Sequence, residues 1–453
     1  VTWQGGMEES CHFCVETTTK VIMRRSVLIC FAIAFGILGA ATSSSQLMTG
    51  PLERRLSDAC SLFGDHPSTY DTLFTAGFKA QVSNAQLTAA LQQLAAICGP
   101  CTEVTITKRT SSLAATANAR MKNGYVIPIT IAIEEAAPHR ISSLFFRNPI
   151  REASSIDSLV AEIKMLPGKT SLYIEKLGTG KPIVEHNGEL MLPIGSTFKL
   201  YILGELARRL ATDSITWATV TTLNPSLKSF PSGRLQDWPD GAPLTLHTLA
   251  SLMISQSDNT ATDHLLSFVV REHVERMQMA MGHSKPLLNK PFMSTRELFL
   301  LKFSDNGARA RRYYALGVEQ RRAMLKKEIT SVAYDDISFV PTPVCADSVE
   351  WFASTHDLTK AMDWIRNAAN SAAGKPLLGI LAINPGLEID EKQWVYAGFK
   401  GGSETGVINM TYLLKDIRGD WYSVSASWCN PAAPVDEAKF ATLIGTLLRM
   451  IPR

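Results

Sequence analysis

The order of apolar and polar residues divides the chain into three stretches. The first is an almost unbroken apolar run from Val27 to about Leu38, set behind Arg24 and Arg25. The second begins near Ser57. "NAQLTAALQQLAAI" (Asn84 to Ile97) repeats its apolar residues at helical spacing. "EVTITKRT", "SLAATANARM", "YVIPITIAIEE" and "RISSLFFRN" then alternate as half-buried strands do. "KNG" (Lys122 to Gly124) between the second and third of these predicts a hairpin turn. Helices followed by an antiparallel meander predict a small α+β domain over residues 50–150. The polar "NPIREASSIDSL" then predicts a linker, placed at 151–157. In the third stretch "TSLYIEKLG" and "KPIVEHNG" read as strands, and helical periodicity dominates from Phe198 to Asn370. "QWVYAGFKG", "GVINMTYLLKD" and "DWYSVSASWC" read as three further strands, and an amphipathic helix runs from about Val435 to Met450. Strands from both ends enclosing a helical middle predict one antiparallel sheet with helices on its faces, over residues 158–453.

Composition narrows this picture only a little. With 453 residues, 45% hydrophobic and 19% charged, the chain can bury a large core. A formal net charge of +3 gives no argument for nucleic acid. The basic "GARARRYYALGVEQRRAMLKKEI" (Gly307 to Ile329) lacks interleaved aromatics and reads as a solvated helix face. The basic, apolar and small-residue blocks of residues 23–43 follow the grammar of an export signal, with 1–22 an upstream extension and Met23 the more natural start. The expected location is therefore secreted or periplasmic, with an uncleaved membrane anchor as the alternative and no stable membrane span once the signal is removed. "CHFC" (Cys11 to Cys14) lies in the extension and is not read as a metal site.

Beyond the signal, Cys60, Cys98, Cys101, Cys345 and Cys429 remain, an odd number that leaves at least one thiol unpaired. "CGPC" (Cys98 to Cys101) has the spacing of a redox motif. Such a motif follows a strand and opens a helix, whereas here a helix precedes and a strand follows. It reads as a helix stop and turn, with one of its cysteines bonded to Cys60.

The candidate chemistry lies in three places. "GSTFK" (Gly195 to Lys199) sets Ser196 at the start of an apolar helix with Lys199 one turn on, on the same face. A buried lysine there can take the serine proton, and free amides of the first turn can face an oxyanion. "ISQSDNTATDHLL" (Ile254 to Leu266) breaks a helix with Ser257, Asp258 and Asn259. A cap by Asn259 or Thr260 is the structural reading, and a proton shuttle with a substrate ligand the chemical one. "FKGGSETG" (Phe399 to Gly406) puts Lys400 at a strand end before two glycines and Ser403, where an edge strand can offer N–H groups to a carbonyl.

In this order the three resemble the S-x-x-K, S-D-N and K-T-G triplet of serine penicillin-recognising enzymes, and 158–453 resembles a class A β-lactamase domain. The resemblance implies a three-layer β-lactamase/transpeptidase-like α/β (α+β) fold. With a preceding cystatin-like or NTF2-like domain, the whole is similar to the two-domain β-lactamase-like proteins of clavulanic-acid biosynthesis. It implies Ser196 as nucleophile, Lys199 as its base and Ser257 as proton carrier. Asn259, Lys400, Gly402 and Ser403 would bind substrate, with the N–H groups of Ser196 and Ser403 as the oxyanion hole.

Two departures stand out. Gly401 replaces the hydroxyl residue of the third motif, a part that Ser403 or Thr405 could take, and this puts recognition of a substrate carboxylate in doubt. No E-x-x-L-N lies between "SDN" and "PFMSTRELFLLK", so the loop that carries the deacylating glutamate is shortened, and Glu297 reads as a first-turn helix acid. The expected protein is an exported serine acyl hydrolase acting on a β-lactam or small ester, without metal or cofactor. The alternatives are a D-alanyl-D-alanine carboxypeptidase and a slowly deacylating β-lactam-binding protein.

Overall fold

Two antiparallel sheets, each with its own apolar core, organise the computed structural model, which describes residues 50–64, 69–147, 149–152, 155–332 and 337–451. These lie in one compact unit, Met48–Arg453. The expected upstream extension, export signal and "CHFC" fall outside the described residues.

In the N-terminal part α1 (Pro51–Ser61) and α2 (Asn84–Cys98) precede β1 (Cys101–Arg109), β2 (Ala114–Met121), β3 (Tyr125–Ile133) and β4 (Ile141–Phe146). The strands form a meander in sequence order, with Met121 opposite Tyr125 across the expected hairpin. Ile127, Ile129 and Ile131 of β3 are buried with Leu52, Leu56 and Leu91, while Thr105, Asn118 and Arg120 face outward or lie half-exposed. One wet and one buried face produce the alternation seen in the sequence. A reciprocal Ser83–Gln86 cap starts α2, and Gly99, at φ 75°, stops it. Cys101 is already in β1 and is bonded to Cys60; Cys98 is buried, and burial pushes its thiol up to about 11. "CGPC" is thus a helix stop whose second cysteine forms the disulfide.

The described residues of the stretch expected to be a linker make regular contacts. Ile150–Arg151 pairs with β3, and Ser155 caps α3 (Ile156–Lys164). Arg151 joins the two parts, its Nε donating to Glu162 at 3.2 Å and its backbone N–H to Thr446 Oγ1 at 3.0 Å.

The second sheet begins with β5 (Lys169–Lys176) and β6 (Pro182–His186). The chain then runs through α4 (Lys199–Thr212), α5 (Leu246–Ser255), α6 (Asn259–Val269), α7 (Thr295–Phe303) and α8 (Thr355–Ala368). It returns through β7 (Trp394–Glu404), β8 (Val407–Asp416) and β9 (Trp421–Cys429) and ends in α9 (Glu437–Met450). The strand order is β7-β8-β9-β5-β6, all antiparallel. One face packs on Phe440, Leu443 and Leu447 of α9 with Leu159 and Ile163 of α3; the helical middle builds the larger core of the other layer. Helices thus lie on both faces of one antiparallel sheet, the three-layer α/β arrangement expected from the sequence. Strands β8 and β9 are buried almost throughout, as a central position between two helical layers requires. The basic run becomes two short helices whose Arg312 and Arg322 pair with Glu328 and Glu272, a solvated face as expected. Among the described residues no helix is long and apolar enough to cross a membrane.

Candidate active site

The start of α4 is shaped by a glycine contact that sequence pattern alone does not reveal. Gly195–Phe198 forms a tight 3₁₀ turn, and the α-helix begins only at Lys199. Gly195 has φ 46°, and a Cβ on it would lie 2.9 Å from Ser403 N. A Cβ on Gly402 would lie 2.2 Å from Ile194 O and 2.4 Å from Ser196 N. Strand β7 therefore runs backbone against backbone past the Ser196 turn, which only glycine at 402 permits. That approach sets the backbone of Ser196 beside that of Gly402 and Ser403. Gly402→Ala must push the strand off the turn. For the oxyanion hole that the resemblance implies, the expected result is a fall in acylation of roughly 10²–10³, the usual cost of losing one donor, measured as the rate of covalent labelling of the folded variant.

Lys199 is fully buried. Its Nζ donates to Ser257 O at 2.7 Å, Ser257 Oγ at 3.1 Å and Asn259 Oδ1 at 2.8 Å. Lys400 Nζ reaches the same Ser257 Oγ at 3.1 Å and also donates to Gly401 O. One hydroxyl thus bridges two buried amines. Lys400 lies inside β7, not at a strand end, because the pairing with β8 continues through Glu404–Val407.

Ser257 adopts φ 55°, an uncommon conformation for a residue with a side chain, held by its neighbours. Asp258, not Asn259 or Thr260, caps α6: Oδ1 accepts from Ala261 N at 2.8 Å, and Oδ2 accepts from Arg234 N at 2.7 Å and Leu235 N at 3.0 Å. Thr260 instead binds the backbone of Ser229. Freed from capping, the Asn259 carboxamide turns to Lys199 on one side and donates to Phe230 O at 2.8 Å on the other. Behind it, Asp263 accepts from Thr295 N at 2.8 Å and Arg296 N at 2.9 Å; burial pushes its carboxyl up to about 6 against these donors.

The seven expected site residues fall into two connected groups. Lys199, Ser257, Asn259 and Lys400 form one hydrogen-bonded cluster; Ser196, Gly402 and Ser403 meet through backbone approach. Glu297 is the first-turn acid expected: Oε2 accepts from Ser294 N at 2.8 Å in a reciprocal cap, and Oε1 accepts from Arg271 at 2.7 Å. Residues 281–294, leading into α7, contain no Asp or Glu. At Gly401 a Cβ would meet the Phe399 ring at 2.6 Å, so the missing hydroxyl residue has no room as the side chains stand. Among the described residues no group of His, Cys, Asp and Glu is arranged to hold a metal ion. The roles of Phe230 O and Asp263 were not foreseen from sequence. Neither carries a motif, and one is a backbone atom.

Residues 153–332 match the family described as the β-lactamase enzyme family. That span contains the first two motifs but not Lys400 to Ser403. No curated protein matches the chain in sequence. Solved structures similar to it include a β-lactamase from Sphaerobacter thermophilus, 20% identical, covering 66% of this chain and 95% of that one, with a TM-score of 0.46. A protein described as PBP-A is 17% identical over 65% of this chain and 93% of its own, with a TM-score of 0.45. A β-lactamase from Francisella tularensis is 13% identical over 65% and 98%, also with a TM-score of 0.45.

Proposed function

We propose that the chain, whose residues 153–332 match the family described as the β-lactamase enzyme family, is an exported serine acyl hydrolase that acylates Ser196 with a β-lactam or small ester and then hydrolyses the acyl-enzyme. The observation that carries this reading is the Ser257 hydroxyl shared by Lys199 and Lys400, set beside a serine turn on which β7 closes.

In acylation the Ser196 hydroxyl oxygen forms a bond to the substrate carbonyl carbon, and its proton passes to neutral Lys199. The carbonyl oxygen becomes an oxyanion between the N–H groups of Ser196 and Ser403. As the bond to the leaving group breaks, that group takes a proton from Ser257, which is resupplied from Lys199. Lys400 contributes positive potential and favours neutral Lys199. Asn259, oriented by Lys199 and Phe230 O, keeps a second N–H for a substrate carbonyl. In deacylation water attacks the ester carbon and Ser196 regains its proton.

The second step needs a base to activate water, and Glu297 and residues 281–294 do not supply one. Glu297 is committed to a cap and to Arg271, and 281–294 offers no carboxylate. General-base assistance contributes roughly 10²–10⁴ in rate, so deacylation should be limiting. The expected result with a chromogenic cephalosporin in stopped flow is a burst of about one product per enzyme, then slow turnover; activated esters with small acyl groups turn over faster. Rapid turnover without a burst would reassign the deacylating base. The same loop favours a second reading, a β-lactam-binding protein that stays acylated, distinguished by a burst with no steady state after it.

A further inference from the structure

Three charged side chains that this chemistry does not use meet in the interior beside the Ser403 end of β7. Lys302 of α7 is fully buried, with Nζ 3.4 Å from Glu350 Oε1 and in an ion pair with Glu404, the last residue of β7. Glu350 is buried too, its Oε2 accepting from Trp351 N at 3.1 Å. The two carboxyl groups are within hydrogen-bonding reach of each other, and Glu404 Oε2 is buried with no donor. Two carboxylates and one ammonium leave one negative charge in the interior; one proton cancels it and supplies the missing donor. Of the other groups near, the Cys429 thiol of β9 is kept neutral, pushed up to about 11 mainly by burial. Asp347 lies on Glu350's own segment and Lys169 on β5, both close enough to act on that thiol.

Both carboxyls hang from segments that frame the serine turn. Glu404 follows Ser403. Glu350 precedes Trp351, whose ring stacks on Phe198 with centroids 3.7 Å apart and whose carbonyl accepts from Ile194 N at 2.9 Å. We propose that Glu350 is a positioning residue that works protonated: a proton shared with Glu404 keeps the Lys302–Glu350–Glu404 cluster neutral and holds Ser403 and Trp351 against the Ser196 turn, and its loss loosens both. The inference rests on Ser196 as nucleophile only for its effect on chemistry.

The electrostatics agree in sign. Burial, then the charge of Glu404, pushes the Glu350 carboxyl up to about 8, against the opposing pull of Lys302. The folded chain therefore holds this proton where the unfolded chain has lost it. The stability it contributes is full below the ordinary value of 4.5, declines as pH rises from there, and is gone once pH passes about 8.

Glu350→Gln keeps a hydrogen-bond donor without an ionisable proton. Two measurements on the full chain test the idea: melting temperature from pH 5 to 9, and the rate at which an activated aryl ester labels Ser196 from pH 6.5 to 9. The variant should melt with wild type at pH 5 and about 5 °C or more above it at pH 8.5. Its labelling rate relative to wild type should rise from near one at pH 6.5 to about tenfold at pH 9. Glu404→Gln, which leaves Lys302 and Glu350 as a neutral pair, should likewise lose the alkaline limb and serves if the first variant does not fold. A labelling ratio that is constant with pH overturns the proposal. Absence of labelling in every protein counts against Ser196 as nucleophile; the melting curves then decide, and equal pH dependence of variant and wild type overturns the proposal.

Discussion

From the proposed acylation of Ser196, Ser196→Ala is expected to abolish covalent labelling by β-lactams and activated esters and to lower turnover by roughly 10⁶, while the protein stays folded. The size follows from the step removed: without the hydroxyl there is no bond to the acyl carbon, and only the oxyanion donors and substrate binding remain. The fold is spared because Ser196 sits in a turn set by Gly195 and by the contact with Gly402, neither of which uses the serine side chain. Mass spectrometry of the variant after incubation with the ligand, with circular dichroism as control, is the check. Undiminished labelling would transfer the chemistry to another residue.

Lys199→Arg is expected to be nearly as damaging as Lys199→Ala, each lowering acylation by roughly 10²–10⁴. The amine has to be neutral when it receives the Ser196 proton, and arginine stays charged. Geometry adds to this. Nζ satisfies Ser257 O, Ser257 Oγ and Asn259 Oδ1 from one point within a fully buried site, and a planar guanidinium cannot reproduce those three directions. Lys199→Ala also strands those acceptors, each costing about 1–3 kcal/mol, so it should melt lower than Ser196→Ala. Pre-steady-state acylation rates and melting curves of both variants measure this. Normal acylation by Lys199→Arg would reduce the lysine to an electrostatic role.

The parts of this site that were legible in the sequence are those whose chemistry is local. Ser196 and Lys199 lie one helical turn apart, so their spacing alone suggests a shared face. The strand alternation of Tyr125–Ile133 records a sheet with one wet side, and its hairpin partner lies a few residues away. What was hidden depends on contacts between distant segments. Ser257, Asp258, Asn259 and Thr260 can all cap a helix, and the choice of Asp258 follows from Arg234 and Leu235, which lie more than twenty residues upstream. Gly402 is visible as a glycine, but its necessity comes from Ile194, two hundred residues earlier. The same limit applies to the cysteines. Helix and strand grammar identified "CGPC" as a stop, and only the packing of α1 on β1 selects Cys101 over Cys98 as partner of Cys60. The buried charges of Lys302, Glu350 and Glu404 come from three separate elements and leave no pattern in any one of them.

The central claim is that Ser196 is acylated. Its most direct test is the intact mass of the chain after brief incubation with a panel of β-lactams and activated aryl esters, followed by peptide mapping of any adduct. The expected result is a single added acyl group, located on the peptide that contains Ser196, persistent with β-lactams and short-lived with small esters. No mass increase with any member of the panel, or an adduct that maps to a residue other than Ser196, would contradict it.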